Sequence, residues 1–450
     1  MKRVKILKSV GLIALLIVMM ACGGGSSSNS DITFDTNSSN LGGATLSSTN
    51  DANQSEDHNG TEINSTMLGE LSFNDIIGTI SQTEDENISL SIPSGLTLTN
   101  PIEGIALDGT LPFISTWKTD NNGSSADNQI MIKTKGGGYN YTIKWGDGES
   151  DTGVTGDITH TYAAAGTYSI EISGAFPRIY FSYLIDDQGD DAQKLLSVDQ
   201  WGDIPWHSMQ FAFAGCANMV INATDRPNLS SVSSMVGMFL GAKKFNQNIE
   251  NWDVSHVTDM SYLFAGATQY NQSINNWDTS HVTNMYGMFY FAEAYNQPIN
   301  FIDVGNVTDM RMMFTKASAF NQGINAWDTS HVINMDMMFT YATEFNHDIG
   351  GWNTSQVISM FGMFAGAVHF DQDIGDWNIQ NVKEMDAMFK EAGLSTDNYN
   401  KLLIGWSGQF VQDDVKFHGG KSTYRGSEAI AARETLISNY HWDITDGGEE

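Results

Sequence analysis

One period governs the C-terminal half of this chain. The motif Met-x-x-(Met/Leu)-Phe recurs every 25 residues, with its first methionine at 235, 260, 285, 310, 335, 360 and 385 and its phenylalanine running from Phe239 to Phe389. A looser copy, Met209 to Phe213, precedes them. Trp252, Trp277, Trp327, Trp352 and Trp377 keep the same step, with Ile302 substituting once, and so do Ile249, Ile274, Ile299, Ile324, Ile349 and Ile374. Self-similarity at this interval is the signature of stacked supersecondary units, because one such unit alone cannot bury its apolar face. The expectation is a repeat solenoid over residues 195–393.

Within one unit two spacings alternate. Met285, Met288 and Phe289 fall at i, i+3 and i+4, which predicts one face of a short helix. Tyr270, Ile274 and Trp277 line an extended or turning segment, and Val282 closes the return. Each apolar column then stacks on itself, and burying one such side chain contributes roughly 1.5–3 kcal/mol. The chain's 22 methionines fall mostly on these columns and read as core filling rather than a copper or redox site.

Polar columns share the period. Asn246, Asn271, Asn296, Asn321 and Asn346, followed by Asp371, carry groups able to satisfy turn backbone in successive copies. Asp253, Asp278, Asp303 and Asp328, then Asn353 and Asn378, follow the tryptophan column and predict Asx-turns. Calcium on those four aspartates is the sharper alternative. His256, His281 and His331 occupy another column, where Asn306, Gln356 and Asn381 also stand, which suits a polar turn position better than a metal site.

A repeat array needs ends that do not aggregate. Residues 195–230 are expected to close one end. At the other, residues 394–448 leave the period and read as a C-terminal cap, with a helical stretch from Ser427 to Ile437.

Residues 111–185 have an all-β pattern. Ile130 to Ile132, Tyr141 to Trp145 and Tyr168 to Ile172 alternate in the manner of strands between Gly-rich turns. Trp145-Gly146-Asp147-Gly148, His160-Thr161-Tyr162 and Gly166-Thr167-Tyr168 follow in order. This trio resembles the PKD domain of bacterial surface proteins, which implies a small immunoglobulin-like β-sandwich, although Ile143 stands where that family often has tryptophan. Asp147, Glu149 and Asp151 at the turn read as solvated carboxylates or, alternatively, as a cation site.

The chain opens with Lys2, Arg3, Lys5 and Lys8 and an apolar run from Val10 to Ala21, the pattern of a signal peptide over residues 1–22. Met19-Met20-Ala21-Cys22 before a Gly/Ser tract resembles a bacterial lipobox, which implies lipidation at Cys22. Residues 23–110 are expected to be a flexible low-complexity linker with a few short strands, such as Ile88 to Ile92. The second of two cysteines, Cys216, is left without a disulfide partner and reads as a small buried hydrophobe. A net charge of −31 excludes nucleic acid as a partner on electrostatic grounds.

The rhythm N-Q-x-I-x-x-W-D-x-S-x-V-x-x-M-x-x-M-F, with Leu196 to Gly202 before it and Trp442 to Gly448 after it, resembles the BspA-like leucine-rich-repeat surface proteins. The resemblance spans residues 195–448 and implies a leucine-rich-repeat-like solenoid of mixed short strands and short helices, preceded by the β-sandwich. It also implies a cell-surface, lipid-anchored protein of the outer membrane that acts as a binding or adhesion module for an extracellular protein or glycan. The structural alternative is an envelope protein with self-associating rods, and a glycan-acting enzyme is a minor third. Neither a GxSxG, an HExxH nor a P-loop occurs, so no catalytic residues and no cofactor are expected. The expected ligand surface is the small polar set Asn248, Glu250, Ser273, Asn275, Asn300, Asn325, Asp348 and Asp373.

Overall fold

A computed structural model describes residues 81–82, 88–89, 111–181 and 190–450. The chain divides into two units, Met1–Ile102 and Glu103–Glu450. In the first, β1 (Ser81–Gln82) pairs antiparallel with β2 (Ile88–Ser89). The expected signal peptide, the lipidation at Cys22, the remainder of the 23–110 linker and the strand residues Leu90 to Ile92 lie outside the described residues.

The second unit begins with sheet. Its strands are β3 (Phe113–Lys118), β4 (Gln129–Ile132), β5 (Asn140–Lys144), β6 (Ser150–Val154), β7 (Ile158–Thr161), β8 (Thr167–Ala175), β9 (Leu195–Gln200) and β10 (Val220–Ile221). Six of them form one sheet in the order β10-β9-β3-β8-β5-β6, and β4 pairs with β7 in a second. Strand alternation sends Phe113, Ser115 and Trp117 of β3 inward, and Ile170 and Ile172 of β8 with them. Trp145, His160 and Tyr162 meet at one corner: the Trp145 and His160 rings stack at 4.7 Å, and the Tyr162 hydroxyl donates to the Trp145 carbonyl at 2.9 Å. The turn that makes this possible needs Gly146, whose φ is +81° and where a Cβ would come 2.4 Å from the Ser169 carbonyl oxygen.

From Asn222 to Ser395 the chain forms turns joined by single parallel bridges, with neither a helix nor a named strand. Residues one period apart lie against each other. Bridges run Ser234–Asp259–Asn284–Asp309–Asn334–Ser359–Glu384, each pair parallel. The Phe239 and Phe264 rings are nearly coplanar in orientation at 5.8 Å, and Phe314 and Phe339 repeat this at 5.6 Å. A second aromatic file, Phe245, Tyr270, Tyr295, Phe320, Phe345 and Phe370, packs on the first, with Phe264 and Tyr270 at 4.0 Å. The tryptophans are buried, and Trp277, Trp327, Trp352 and Trp377 each donate an indole N–H to the carbonyl of the isoleucine 28 residues earlier.

This overturns the expected fold class, a leucine-rich-repeat-like solenoid of mixed short strands and short helices behind a separate immunoglobulin-like sandwich. Regular structure among the described residues is mainly β-strand in sheets, with only two α-helices, and both follow the last Met-x-x-Met-Phe copy. The larger sheet is also no self-contained layer of residues 111–185, since β9 and β10 come from beyond them.

The failure of the short helices has a local cause. Beyond its first turn an α-helix keeps every N–H inside its own segment, bonded four residues back. Here alternate N–H groups leave it: Met285, Gly287, Phe289 and Phe291 donate to Asp309, Arg311, Met313 and Thr315 of the next copy, at 2.8–3.1 Å. The intervening Met288, Tyr290 and Ala292 close turns on the residue three back. That zigzag requires positive φ at two places in each copy. Gly287 (+58°) and Phe291 (+57°) supply it in this one, Met312 and Lys316 in the next, Met337 and Tyr341 in the one after. Left-handed residues end helices rather than build them.

The C-terminal segment continues the columns with a different backbone. Helix α1 (Thr396–Ser407) starts at Ser395, whose N–H bonds Asp371 Oδ1 at 2.9 Å, and its Trp406 indole donates to the Ile374 carbonyl at 3.2 Å. Helix α2 (Ser427–Tyr440) packs on α1. Strands β11 (Lys416–His418) and β12 (Asp443–Thr445) pair in parallel, and Phe417 packs against Trp406.

Candidate ligand-binding face

In each copy the first Met and the closing Met-Phe (Leu-Phe in the Met260 copy) are buried, as are Met285, Met288 and Phe289. The zigzag turns the second, third, sixth and seventh positions of the motif toward one face. The copies agree at the buried positions and differ here. The second position reads Val236, Ser261, Tyr286, Arg311, Asp336, Phe361 and Asp386, and the seventh reads Gly241, Gly266, Phe291, Lys316, Tyr341, Gly366 and Glu391. The buried positions therefore stay nearly constant from copy to copy while the positions on this face vary.

Aromatic and basic side chains gather in the middle of this face. The Arg311 guanidinium lies 4.9 Å over the Tyr286 ring, and its Nε bonds Asp309 Oδ1 at 2.9 Å, which pushes the arginine pKa up. Lys316 Nζ sits 4.3 Å over the Phe291 ring and 5.9 Å from that of Tyr341. The Tyr341 hydroxyl donates to Glu391 Oε2 at 2.8 Å, two periods away, and that carboxylate raises the phenol's pKa. Beside Tyr341 opens a groove of about 180 Å³ lined by Met337, Phe361, Gly362, Ala365, Ala387 and Lys390 among others.

The residues expected from sequence to form a ligand surface stand at other positions of the period. Asn248, Asn325, Asp348 and Asp373 are exposed, whereas Glu250, Ser273, Asn275 and Asn300 are half-buried. Most of these spend their side chains on the chain itself. Asn248 Oδ1 accepts from the Glu250 N–H at 2.8 Å, Ser273 Oγ donates to Glu250 Oε1 at 2.7 Å, and Asn300 Oδ1 accepts from the Ala326 N–H at 3.1 Å. Asp348 and Asp373 likewise accept from Gly350 and Gly375.

The aspartate column makes turns. Asp253, Asp278 and Asp328 accept from the N–H two residues on, in Ser255, Ser280 and Ser330, and Asp303 does the same with Gly305 at 2.8 Å. Among the described residues no group of three His, Cys, Asp or Glu side chains is placed to hold a metal ion. His256, His281 and His331 are exposed, each with Nδ1 near the preceding serine hydroxyl. Asp147 bonds His160 at 2.8 Å and Asp151 accepts from the Trp145 indole at 2.8 Å, so both carboxylates hold the turn together. Cys216 is fully buried, and burial pushes its thiol pKa well up, which leaves it inert as a nucleophile. Asn271, Asn296, Asn321 and Asn346 form a ladder, each N–H bonding the side-chain oxygen of the asparagine before it at 2.9–3.1 Å.

Residues 207–322 and 298–402 match the family model described as Mycoplasma protein of unknown function, DUF285. No curated protein and no solved structure matches the chain. The matched residues contain the variable face, and the family's description assigns it no activity.

Proposed function

We propose that this chain is a cell-surface lipoprotein, anchored through Cys22, that acts as a binding or adhesion module rather than an enzyme. The observation that carries the reading is the variable face. Seven copies hold their buried residues nearly constant while Tyr286, Phe291, Lys316, Tyr341 and Phe361 appear on one side. Half-exposed aromatic rings with basic neighbours are the side chains that carry binding energy in recognition surfaces. The lipobox-like Met19 to Cys22, the Gly/Ser tract behind it and the resemblance to BspA-like surface proteins support an outward location. An extracellular protein or glycan is then the partner class.

Protease shaving of intact cells, with mass spectrometry of the released peptides, tests this. Release of peptides from residues 195–450 without lysis is the expected outcome. Release only after the envelope is opened would remove the adhesion reading and leave a structural envelope role.

A further inference from the structure

From the groove beside Tyr341 we infer that the variable face holds a subsite for a carboxylate-bearing pyranose, with Tyr341 as the stacking platform and Lys316 and Lys390 as its anion-pairing groups. The inference rests on the binding reading above and names its ligand class. At 40% exposure the Tyr341 ring is open to a ligand, yet it is held at both ends. Its hydroxyl is tied to Glu391, and its ring lies where a side chain at Gly366 would stand, since a Cβ there would come 2.4 Å from Cδ1. A ring fixed before binding loses little freedom when a ligand stacks on it.

The groove's volume of about 180 Å³ lies below the roughly 300–1,000 Å³ of pockets that enclose a drug-sized ligand. It accommodates one ring, with the remainder of a chain outside. Its lining is mainly apolar, with Lys390 and Glu391 among the lining residues to meet hydroxyl groups, while the Thr340 hydroxyl donates to the Gly362 carbonyl at 2.6 Å. Glu391 uses one carboxylate oxygen on Tyr341, and its other oxygen is an acceptor for a hydroxyl.

Charge selects the ligand within that class. Acidic residues outnumber basic ones 53 to 22 in this chain, and most of its surface repels anions. Lys316 Nζ lies 5.9 Å from the Tyr341 ring and Lys390 lines the same groove as Tyr341, and among the described residues neither has an ion-pair partner. Two unneutralised ammonium groups beside an open aromatic ring suit a sugar carrying a carboxylate, whether a uronic or a sialic acid.

The experiment is calorimetric titration of the full mature chain with oligogalacturonate and with oligosialic acid, alongside carboxyl-reduced oligogalacturonate and poly-glutamate. Binding of at least one acidic saccharide is expected, at least tenfold weaker for the carboxyl-reduced oligomer, for Tyr341→Ala and for the Lys316→Gln/Lys390→Gln pair. Tyr341→Phe keeps the platform and is expected to stay within about threefold, and matching melting curves exclude misfolding as the cause. No saccharide binding, equal binding of poly-glutamate, or affinities unmoved by these substitutions would overturn the inference. Cells that expose residues 195–450 to protease while the protein binds no saccharide would sink the ligand class and leave the adhesion reading standing. Saccharide binding by a protein enclosed in the envelope would do the reverse.

Discussion

The ring of Tyr262 lies over Gly287, one period later, so closely that a Cβ on the glycine would come 2.7 Å from Cε1 of the ring. Gly287 also has φ +58°, a region that L side chains rarely enter. Two penalties therefore meet in Gly287→Ala, which is expected to destabilise the protein by about 1–3 kcal/mol. Ala387→Gly is the counterpart, because Ala387 already sits at φ +57°. It is expected to be neutral or stabilising by up to about 1 kcal/mol. Urea unfolding of both variants checks the pair, and equal effects would show that the left-handed positions carry no strain.

Lys194 makes a different kind of constraint. Its buried ammonium shares its three N–H donors among four oxygens at 2.7–3.0 Å, the carbonyls of Ser125, Ala126 and Gln129 and the Ser125 hydroxyl. Asp191, also buried, lies 3.7 Å away and accepts from the Ser125 and Met131 N–H groups. Lys194→Met is expected to cost about 3–5 kcal/mol, because it leaves a buried carboxylate and three carbonyls without their cation. A loss under about 1 kcal/mol in equilibrium unfolding would show that the clasp is dispensable.

These two sites also mark where sequence ran out. The period made legible which residues share a column, because translation by 25 residues places identical side chains together. The asparagine ladder and the buried tryptophans were readable in that way. The backbone between them was not, because Met285, Met288 and Phe289 match a helix face whether or not a helix forms. The contrary signal was present in Gly237, Gly287 and Gly362 at one position and Gly241, Gly266 and Gly366 at another. Glycines recurring twice within four residues argue for left-handed turns against a helix. The pairing of β3 with β9 was hidden for another reason: it joins Thr116 to Ser197, far apart in the chain, and no local pattern specifies such a contact. The basic and aromatic face was not legible for a similar reason: only the zigzag backbone, with its two left-handed positions per copy, brings the second and seventh motif positions to one side.

Tyr270 and Tyr295 interrupt a file otherwise made of Phe245, Phe320, Phe345 and Phe370. Both are fully buried, and their hydroxyls have no hydrogen-bond partner among the described residues. Burial pushes both phenol pKa values far up. An unmet buried hydroxyl costs about 1–3 kcal/mol. Tyr270→Phe and Tyr295→Phe are therefore expected to raise stability by about 1 kcal/mol each. A fall in the melting temperature of both variants would mean that the hydroxyls are satisfied in solution.

The aspartate column gives the fold an acid dependence that can be removed. The serine hydroxyl and N–H two residues on hold the carboxyls of Asp253, Asp278 and Asp328 below their ordinary value of 3.8. A folded pKa below the unfolded one stabilises the protein above the unfolded value, and that contribution is lost as pH falls through the folded pKa. Asn353 and Asn378 make the same turns without a titrating group, accepting from Ser355 and Gln380 at 3.1 Å. The triple variant D253N/D278N/D328N is thus expected to keep the turns and lose this part of the acid sensitivity. The carboxyls face solvent, which makes each contribution small, and three together are needed for a measurable effect. Urea midpoints measured between about pH 5 and pH 2.5 are expected to fall more steeply for the unaltered chain than for the variant. Parallel slopes would place the acid sensitivity in other carboxylates and show that these turns hold equally well with protonated aspartate.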